Sequence, residues 1–332
     1  MNEEILKDFV RPVTEDDQGL PVFSYSKMEV YKNCPYQYDL KYNQKKRSVD
    51  TTIALELGTL CHYVLEMKGK AIKDGKEVDY DLLNRILLDG VTEVDESDEK
   101  TKETILGLTD LKKKYWEEWY VPDNASGMNY EEKMQVFDKV LQFEMEGSEW
   151  APYRFEMPFD FVWKDRIIIT GFIDRIDKKG DEYKTVDYKT SKKAYDSKKL
   201  ATSLQFGIYA LAILNEFGVL PTESEYSFVL IDEKQLALTK GWEKRLIKAL
   251  DKLLDSIDEN AKEGVWKPNP TPLCHWCNYC ETNPNAHEFK NECRYYSLWT
   301  PTNKTFAVNE QWSLENTEDM AKLHKNDRKL IF

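Results

Sequence analysis

The segment 171–191, GFIDRIDKKGDEYKTVDYKTS, constrains the fold of this chain more than any other part of the sequence. With the residues just before it, this segment predicts two antiparallel strands joined by a hairpin turn at residues 178–181. In a strand, residues two apart share a face, so Asp187 and Lys189 point the same way. Asp174, on the preceding strand, reaches the same end of the sheet. The apolar positions, which predict central strands, are Ile167, Ile168, Ile169, Phe172, Ile173, Ile176, Val186 and Tyr188.

The order of the predicted elements indicates an α/β fold. Helical periodicity dominates the chain up to residue 146, strand-like segments follow, and helices and strands then alternate. This order predicts a small mixed sheet flanked by helices rather than a doubly wound nucleotide-binding fold. The phosphate-cradling patterns GxxxxGK(S/T) and GxGxxG are absent. Helices are predicted over 53–73, 79–94, 98–120, 130–146, 198–217 and 241–262, and strands over 153–163, 166–177, 182–188 and 224–232.

Four regions are predicted along the chain. Residues 1–50 form an N-terminal segment that carries the first of several clustered cysteines. Residues 51–265 form the core, with a helical insertion at about 75–150. Residues 266–300 are rich in cysteine and proline, and residues 301–332 form a polar tail. With 332 residues, the chain is long enough to bury a core of this size.

Asp174, Asp187 and Lys189 have the chemistry that the hydrolysis of a phosphodiester needs. Two converging carboxylates form a hard, anionic oxygen site of the kind that binds Mg²⁺ or Mn²⁺. A lysine beside such a site orients an attacking water and offsets the charge that grows on the phosphate. Taken alone, a D-x-K pattern is more often a solvated strand face. The apolar setting favours the chemical role, because charged groups on buried strands are costly unless they pair or coordinate.

The ordered motifs of the chain resemble those of the RecB-type nucleases, a branch of the PD-(D/E)XK superfamily. These motifs are G-F-I-D-R-I-D at 171–177, V-D-Y-K-T at 186–190, and Q-F-G-I-Y at 205–209. The resemblance implies a restriction-endonuclease-like core in which Asp174 and Asp187 bind metal and Lys189 is catalytic. It also implies that Gln205 and Tyr209, one helical turn apart on a single face, contact DNA or support the lysine.

A histidine on the helix before the sheet extends the resemblance. In the family it lies within a G-x-x-x-H-x-x-x-E pattern, which here runs from Gly58 through His62 to Glu66. The resemblance implies that His62 is a metal ligand, and an imidazole ligand favours Mn²⁺ relative to Mg²⁺. Taken alone, His62 would be interpreted as a core histidine. Glu156, on the first predicted strand, is a further candidate acid that is left out of the predicted site.

The cysteines predict a second site. Cys274, Cys277 and Cys280 run as C-x2-C-x2-C, with Cys293 beyond them and Cys34 far upstream, and such spacing favours metal or cluster binding in a reducing compartment. The layout resembles that of RecB-type nucleases with an iron–sulfur staple, which include the AddB nuclease domain and the CRISPR-adaptation nucleases. The resemblance implies a structural 4Fe–4S cluster on Cys34, Cys274, Cys277 and Cys293. Cys280 is an extra candidate, and a structural zinc site is the alternative.

The functional prediction is a Mg²⁺- or Mn²⁺-dependent deoxyribonuclease, an exonuclease that acts on DNA ends or single strands in recombination or repair. The net charge of −13 counts against a nucleic-acid coat protein but not against an enzyme with one local groove. The sequence has no helicase motif, so a helicase, annealing or single-strand-binding partner is expected to be a separate chain. We expect a cytoplasmic protein, because no membrane span or secretory signal is present. The alternative is a catalytically idle DNA-binding or scaffold module of the same fold.

Overall fold

The computed structural model divides the chain into two compact units, each discontinuous in sequence. The first unit comprises residues 1–22 and 51–246, and the second comprises residues 23–50 and 247–332. The structure describes residues 3–47, 53–88, 130–145, 149–238, 240–283, 286 and 288–293. Outside the described residues lie the predicted helix over 98–120 and the predicted tail over 301–332. The division into four regions stays a prediction.

The helices follow the apolar periodicity of the sequence. In chain order they are α1 (Glu3–Lys7), α2 (Tyr25–Asn33), α3 (Pro35–Tyr38), α4 (Ile53–Lys73), α5 (Tyr80–Leu88), α6 (Tyr130–Gln142), α7 (Ser197–Thr202), α8 (Gln205–Phe217) and α9 (Trp242–Glu263). The helices predicted over 53–73, 79–94, 130–146 and 241–262 correspond to α4, α5, α6 and α9. Among the described helices, none combines the length and the apolar character needed to cross a membrane.

The single helix predicted over 198–217 is wrong, because the chain forms two helices there. Ser203 has an extended backbone, with φ of −68° and ψ of 127°, so α7 ends before it. The Ser203 hydroxyl accepts a hydrogen bond from the Gln205 N–H at 3.3 Å. A serine that bonds the backbone in this way favours a helix start over a helix interior. Gln205 therefore lies in the first turn of α8.

The strands form a mixed sheet. They are β1 (Val10–Arg11), β2 (Val22–Ser24), β3 (Ala151–Trp163), β4 (Ile167–Lys179), β5 (Glu182–Lys189), β6 (Glu223–Phe228) and β7 (Glu233–Leu236). Six of them follow the order β1-β3-β4-β5-β6-β7. These neighbours are antiparallel except for β5 and β6, which are parallel and are connected through α7 and α8. A mixed sheet flanked by helices confirms the predicted fold class.

One strand prediction is corrected by the structure, and one exposed side chain adds to another. The strand predicted over 224–232 ends at Phe228, because the chain turns there and enters β7. A positive φ of 51° at Asp232 belongs to this turn. Phe172, one of the apolar positions that predict central strands, is 54% exposed. The strand β4 is interior to the sheet, but one of its faces is open at this position.

A hydrophobic core cluster of the first unit determines which residues of β5 are available for chemistry. Val186 and Tyr188 pack in this core with Cys61 and Leu65 of α4. Because side chains alternate along a strand, Asp187 lies on the opposite face of β5. That face meets the beginning of α8, so the aspartate is separated from the apolar core.

Gly69 marks a close approach of α4 to β3. A Cβ at this position would lie 2.0 Å from the ring of Phe155, which is buried. Gly69→Ala is therefore expected to lower the free energy of unfolding by about 1–3 kcal/mol, the usual cost of overpacking, although alanine is the better helix former. Urea denaturation measures the effect. Gly58→Ala is the matched control, because its Cβ would make an ordinary 3.6 Å contact with Thr190 Oγ1. Equal destabilisation of both variants would contradict this explanation.

Candidate active site

Strands β4 and β5 separate where the predicted catalytic residues lie. Their antiparallel register begins at the hairpin and runs as far as the pair of Arg175 with Val186. Beyond that pair, the Tyr188 N–H donates to a carboxylate oxygen of Asp174 at 2.8 Å. The Asp174 side chain takes the place of a backbone partner in the ladder. The residues that precede Arg175 on β4 and those that follow Val186 on β5 therefore border an opening in the sheet.

Three potential ligands of one metal ion converge at this opening. His62, Glu156 and Asp174 each offer one ligand atom, and these atoms all lie within 4.8 Å of one another. They belong to α4, β3 and β4, so three different elements build the group. The Nδ1 atom of His62 lies 3.4 Å from Oδ2 of Asp174. Two of the three predicted metal ligands, His62 and Asp174, thus lie in this group, whereas Asp187 is not part of it. Glu156, which the sequence analysis left out, is its third member.

Glu156 reaches this group through a local irregularity in β3. Its φ of 42° lies in the left-handed region, which is costly for a residue with a side chain. The neighbouring pair of Met157 with Ile173 places it opposite Asp174. Strand periodicity over 153–163 put Glu156 on a strand, but the cross-strand register that opposes it to Asp174 is a property of the folded chain.

Asp187 is the centre of a network that contains the other predicted residues. It is 2% exposed, and its Oδ2 atom lies 2.5 Å from Nζ of Lys189. Its Oδ1 atom accepts hydrogen bonds from Nε2 of Gln205 at 2.5 Å and from the Tyr209 hydroxyl at 3.3 Å. The Lys189 ammonium also donates to Oε1 of Gln205 at 3.3 Å. Gln205 therefore contacts both charged residues of the D-x-K motif.

Burial and a neighbouring carboxyl raise the pKa of Glu156 and of Asp174. Burial and the neighbouring Asp174 raise the pKa of Glu156 to about 7. Burial and Asp187 raise the pKa of Asp174 well above its usual range. Burial alone would lower the pKa of Lys189, but the Asp187 carboxylate outweighs it and raises that pKa, so the ammonium stays charged. Burial lowers the pKa of His62, which favours the neutral, metal-binding imidazole.

This donor set fits a divalent cation. Carboxylate oxygens with one imidazole form the mainly hard set in which Mg²⁺ or Mn²⁺ is held. A cation would also offset the like-charge repulsion that raises the pKa of Glu156 and of Asp174. The residues present are therefore suited to a metal-dependent reaction.

The second unit contains a separate candidate site, a cavity of about 290 Å³ whose lining includes five cysteines. They are Cys34, Cys274, Cys277, Cys280 and Cys293. Cys34 lies between α2 and α3 with an extended backbone, because the proline that follows disfavours a helical conformation before it. The structure thus brings the upstream cysteine to the cysteine-rich segment, as the sequence predicts.

Backbone donors surround the sulfurs of this cavity. The Asn269 N–H donates to Sγ of Cys34 at 3.4 Å, and the Thr271 N–H donates to Sγ of Cys274 at 3.3 Å. Burial raises the pKa of the Cys277 thiol to about 12. Hydrogen bonds to sulfur and partial burial are typical surroundings of cysteine ligands to iron–sulfur clusters. The cavity is therefore suited to a sulfur-bound metal centre.

The chain has recognisable relatives among known proteins. The family model described as the PD-(D/E)XK nuclease superfamily matches residues 22–283. Over 237 residues the chain is 27% identical to an ATP-dependent helicase/deoxyribonuclease subunit of Clostridium perfringens strain SM101, and the match covers 65% of the chain and 19% of that protein. The corresponding protein of Clostridium tetani, which has the same name, is 26% identical over 214 residues, 58% of the chain and 18% of that protein.

A phage protein is also similar to part of the chain. The Gene 69 protein of Mycobacterium phage D29 is 27% identical over 129 residues, which is 38% of the chain and 45% of that protein. The chain spans about a fifth of the length of the clostridial relatives. The region matched by the family model includes all the residues described above at the opening between β4 and β5.

Proposed function

The chain belongs to the PD-(D/E)XK nuclease superfamily, and on this premise we propose that it is a metal-dependent DNA nuclease. The observation that carries the proposal is the opening between β4 and β5, where Asp187 and Lys189 lie beside the group of His62, Glu156 and Asp174. Buried, mutually repelling carboxyls next to a charged lysine are costly to the fold, and such groups cluster at functional sites.

The residues of the opening have distinct tasks in phosphodiester hydrolysis. When bound, a divalent cation supplies Lewis acidity that stabilises the charge growing on the phosphate. His62, Glu156, Asp174 and Asp187 would hold it. Lys189 keeps its proton beside Asp187, and its ammonium orients the attacking water and offsets phosphate charge. The neighbouring glutamine and tyrosine of α8 keep the aspartate in one orientation.

The names of the clostridial relatives support DNA as the substrate, since each names an ATP-dependent helicase/deoxyribonuclease. We propose exonuclease action on DNA ends or single strands, in recombination or repair. A separate helicase, annealing or single-strand-binding protein is the proposed partner, because such a protein would generate the unpaired strands on which the nuclease acts.

A catalytically idle DNA-binding or scaffold module is the competing function. Asp174, Asp187 and Lys189 favour the enzyme. Burial and the neighbouring Asp187 raise the pKa of Asp174 well above its usual range. A scaffold would gain nothing from burying these two carboxyls side by side. The enzyme needs both groups to hold a cation.

Linear and circular DNA test the proposal with the complete chain. We expect cleavage of linear single-stranded DNA with Mn²⁺ or Mg²⁺, faster with Mn²⁺, and no cleavage with a chelator. A closed circle of the same sequence should resist an exonuclease. Cleavage of the circle would make the enzyme an endonuclease and would leave the nuclease proposal intact. No cleavage of any DNA with either metal would favour the scaffold.

Gln205 is proposed to position the metal site through Asp187. Gln205→Ala removes the 2.5 Å hydrogen bond to Oδ1 of Asp187, and loss of such a supporting partner typically costs about 10- to 100-fold in metal affinity or activity. We expect the Mn²⁺ concentration for half-maximal cleavage to rise by that factor. Gln235→Ala is the matched control, because Gln235 bonds the backbone of Tyr195 and the Glu233 carboxylate rather than Asp187. An unchanged Mn²⁺ requirement in Gln205→Ala would rule out this role.

We propose that Cys34, Cys274, Cys277 and Cys293 hold a structural 4Fe–4S cluster. The five cysteines that line the cavity and the hydrogen bonds to two of its sulfurs support a sulfur-bound metal centre, and a structural zinc ion is the alternative to the cluster. Cys280 competes with Cys293 for the fourth position, since it lies close enough to Cys274 and Cys277 to influence their pKa values. Comparison of the iron content of Cys280→Ser with that of Cys293→Ser decides between the two residues.

A further inference from the structure

Phe172 is an exposed aromatic residue on an interior strand of the sheet. It is 54% exposed although it lies in the stretch of β4 that is paired with β3. Its partner on β3 is Pro158, which is exposed as well. A large apolar side chain at such a position costs hydration free energy. Its exposure beside a polar site therefore indicates that a ligand binds there.

This residue lies at the mouth of the proposed active site. Phe172 and Asp174 are two apart on β4, so their side chains share a face. Asp174 is buried whereas Phe172 is exposed, so the part of the protein that shields Asp174 from solvent does not extend over Phe172. The Tyr188 N–H donates to the Asp174 carboxylate, so the end of β5 lies beside this stretch of β4. An occupant of the site would consequently pass over the Phe172 ring.

The chain that leaves β5 at this level is basic. Lys192 and Lys193 follow Lys189 closely, and both are exposed. The Ser191 hydroxyl donates to the Lys193 carbonyl at 2.7 Å and accepts from its N–H at 3.2 Å, so the turn that carries the two lysines is ordered. In a protein whose net charge is −13, a local pair of exposed cations at the mouth of the site favours an anionic occupant.

We propose that Phe172 stacks on a base of an unpaired DNA strand whose phosphates contact Lys192 and Lys193. The proposal rests on the proposed nuclease function and specifies its substrate as single-stranded DNA or a frayed end. An aromatic ring stacks on any base, because every base has a π-face. In an intact duplex those faces are covered by neighbouring base pairs, so the Phe172 ring discriminates between paired and unpaired strands.

Binding of a short oligonucleotide tests the stacking. With Ca²⁺ in place of Mn²⁺ to prevent cleavage, Phe172→Ala should bind a single-stranded oligonucleotide about 5- to 150-fold more weakly than the wild type, the range that loss of one base–aromatic stack produces. Phe172→Trp should retain binding, whereas Phe172→Leu, which is apolar but not aromatic, should not. Tyr80→Ala is the matched control, since Tyr80 is an aromatic residue of similar exposure on α5.

An abasic oligonucleotide of the same length separates stacking from phosphate contacts. It keeps the phosphates and lacks the bases, so the wild type should bind it weakly and Phe172→Ala should weaken that binding no further. The double variant Lys192→Gln, Lys193→Gln should bind both oligonucleotides more weakly. For this double variant, the slope of log Kd against log salt concentration should be smaller than that of the wild type by about 1.4, or about 0.7 for each lost phosphate contact. Lys244→Gln with Lys248→Gln is the control for charge alone.

The outcomes distinguish this inference from the nuclease proposal. If the wild type cleaves DNA but Phe172→Ala binds single strands within twofold of it, the stacking inference is wrong and the nuclease stands. If Phe172→Ala weakened binding of the abasic oligonucleotide as much as binding of the normal one, the stacking inference would also be wrong. Tighter binding of blunt duplex than of single strands by the wild type would reject the substrate assignment. A wild type that neither binds nor cleaves DNA would overturn both proposals.

Discussion

Asp187→Ala is expected to lower the rate of DNA cleavage by about a thousandfold or more, and Lys189→Ala by about a hundred- to a thousandfold. The aspartate would supply a ligand to the cation, whose stabilisation of phosphate charge is worth several kcal/mol. The lysine would supply one charged donor to the same phosphate, and loss of one such donor typically has the smaller effect. Single-turnover cleavage of a labelled linear strand in Mn²⁺ measures both rates.

The two losses should not add. Oδ2 of Asp187 lies 2.5 Å from Nζ of Lys189, so the two residues are expected to act as one unit. The double variant should therefore cleave only slightly more slowly than Asp187→Ala. Lys244→Ala, an exposed lysine of α9, is the matched control and should cleave at the rate of the wild type. Retained cleavage by both single variants, with normal thermal unfolding, would reject the proposed mechanism in favour of a different catalytic site.

Cys34→Ser is expected to abolish cluster binding and to destabilise the second unit by about 5 kcal/mol. The sulfur centre would join residues 23–50 to the cysteine-rich segment of the same unit across a very long stretch of chain, and loop-closure estimates for long loops reach this size. Without it, contacts such as the Asn269 amide to the Asn33 carbonyl at 2.9 Å must hold the two segments together. Iron and acid-labile sulfide analysis of anaerobically purified protein, followed by urea denaturation, measures both effects.

Cysteine variants outside and inside the cavity complete this experiment. Cys61→Ala removes a buried thiol of α4 and should leave the iron content unchanged. Loss of iron in Cys293→Ser but not in Cys280→Ser would support the proposed ligand set, and the reverse would assign the fourth position to Cys280. Colourless protein that binds zinc alone would replace the cluster with a zinc site.

Part of the proposed active site depends on short-range sequence rules. Asp187 and Lys189 share a face because strand side chains alternate, and the hairpin before them brings Asp174 to the same end of the sheet. Gln205 and Tyr209 share a helix face for the analogous reason. All these relations act over a few residues, so the apolar periodicity and the turn residues are enough to predict them.

Residues outside the motifs depend on contacts between elements distant in sequence. Glu156 joins the group because β3 pairs with β4 in one particular register, past a residue with positive φ. Phe172 belongs to the apolar positions that predict a central strand, yet one face of β4 is open there. A pattern of apolar residues predicts that a strand lies within a sheet, but it does not predict where the helices that cover the sheet end.

The sequence by itself therefore determined the mixed α/β fold, the strands that carry Asp174, Asp187 and Lys189, and the presence of two groups of potential ligands. Only the tertiary structure decided that β4 and β5 separate beyond Arg175 and Val186, which creates the opening in which those charges meet. The physical reason is that strand periodicity is a local property of the chain. The end of a hydrogen-bonded ladder depends instead on long-range packing, which here substitutes the Asp174 carboxylate for a backbone partner of Tyr188.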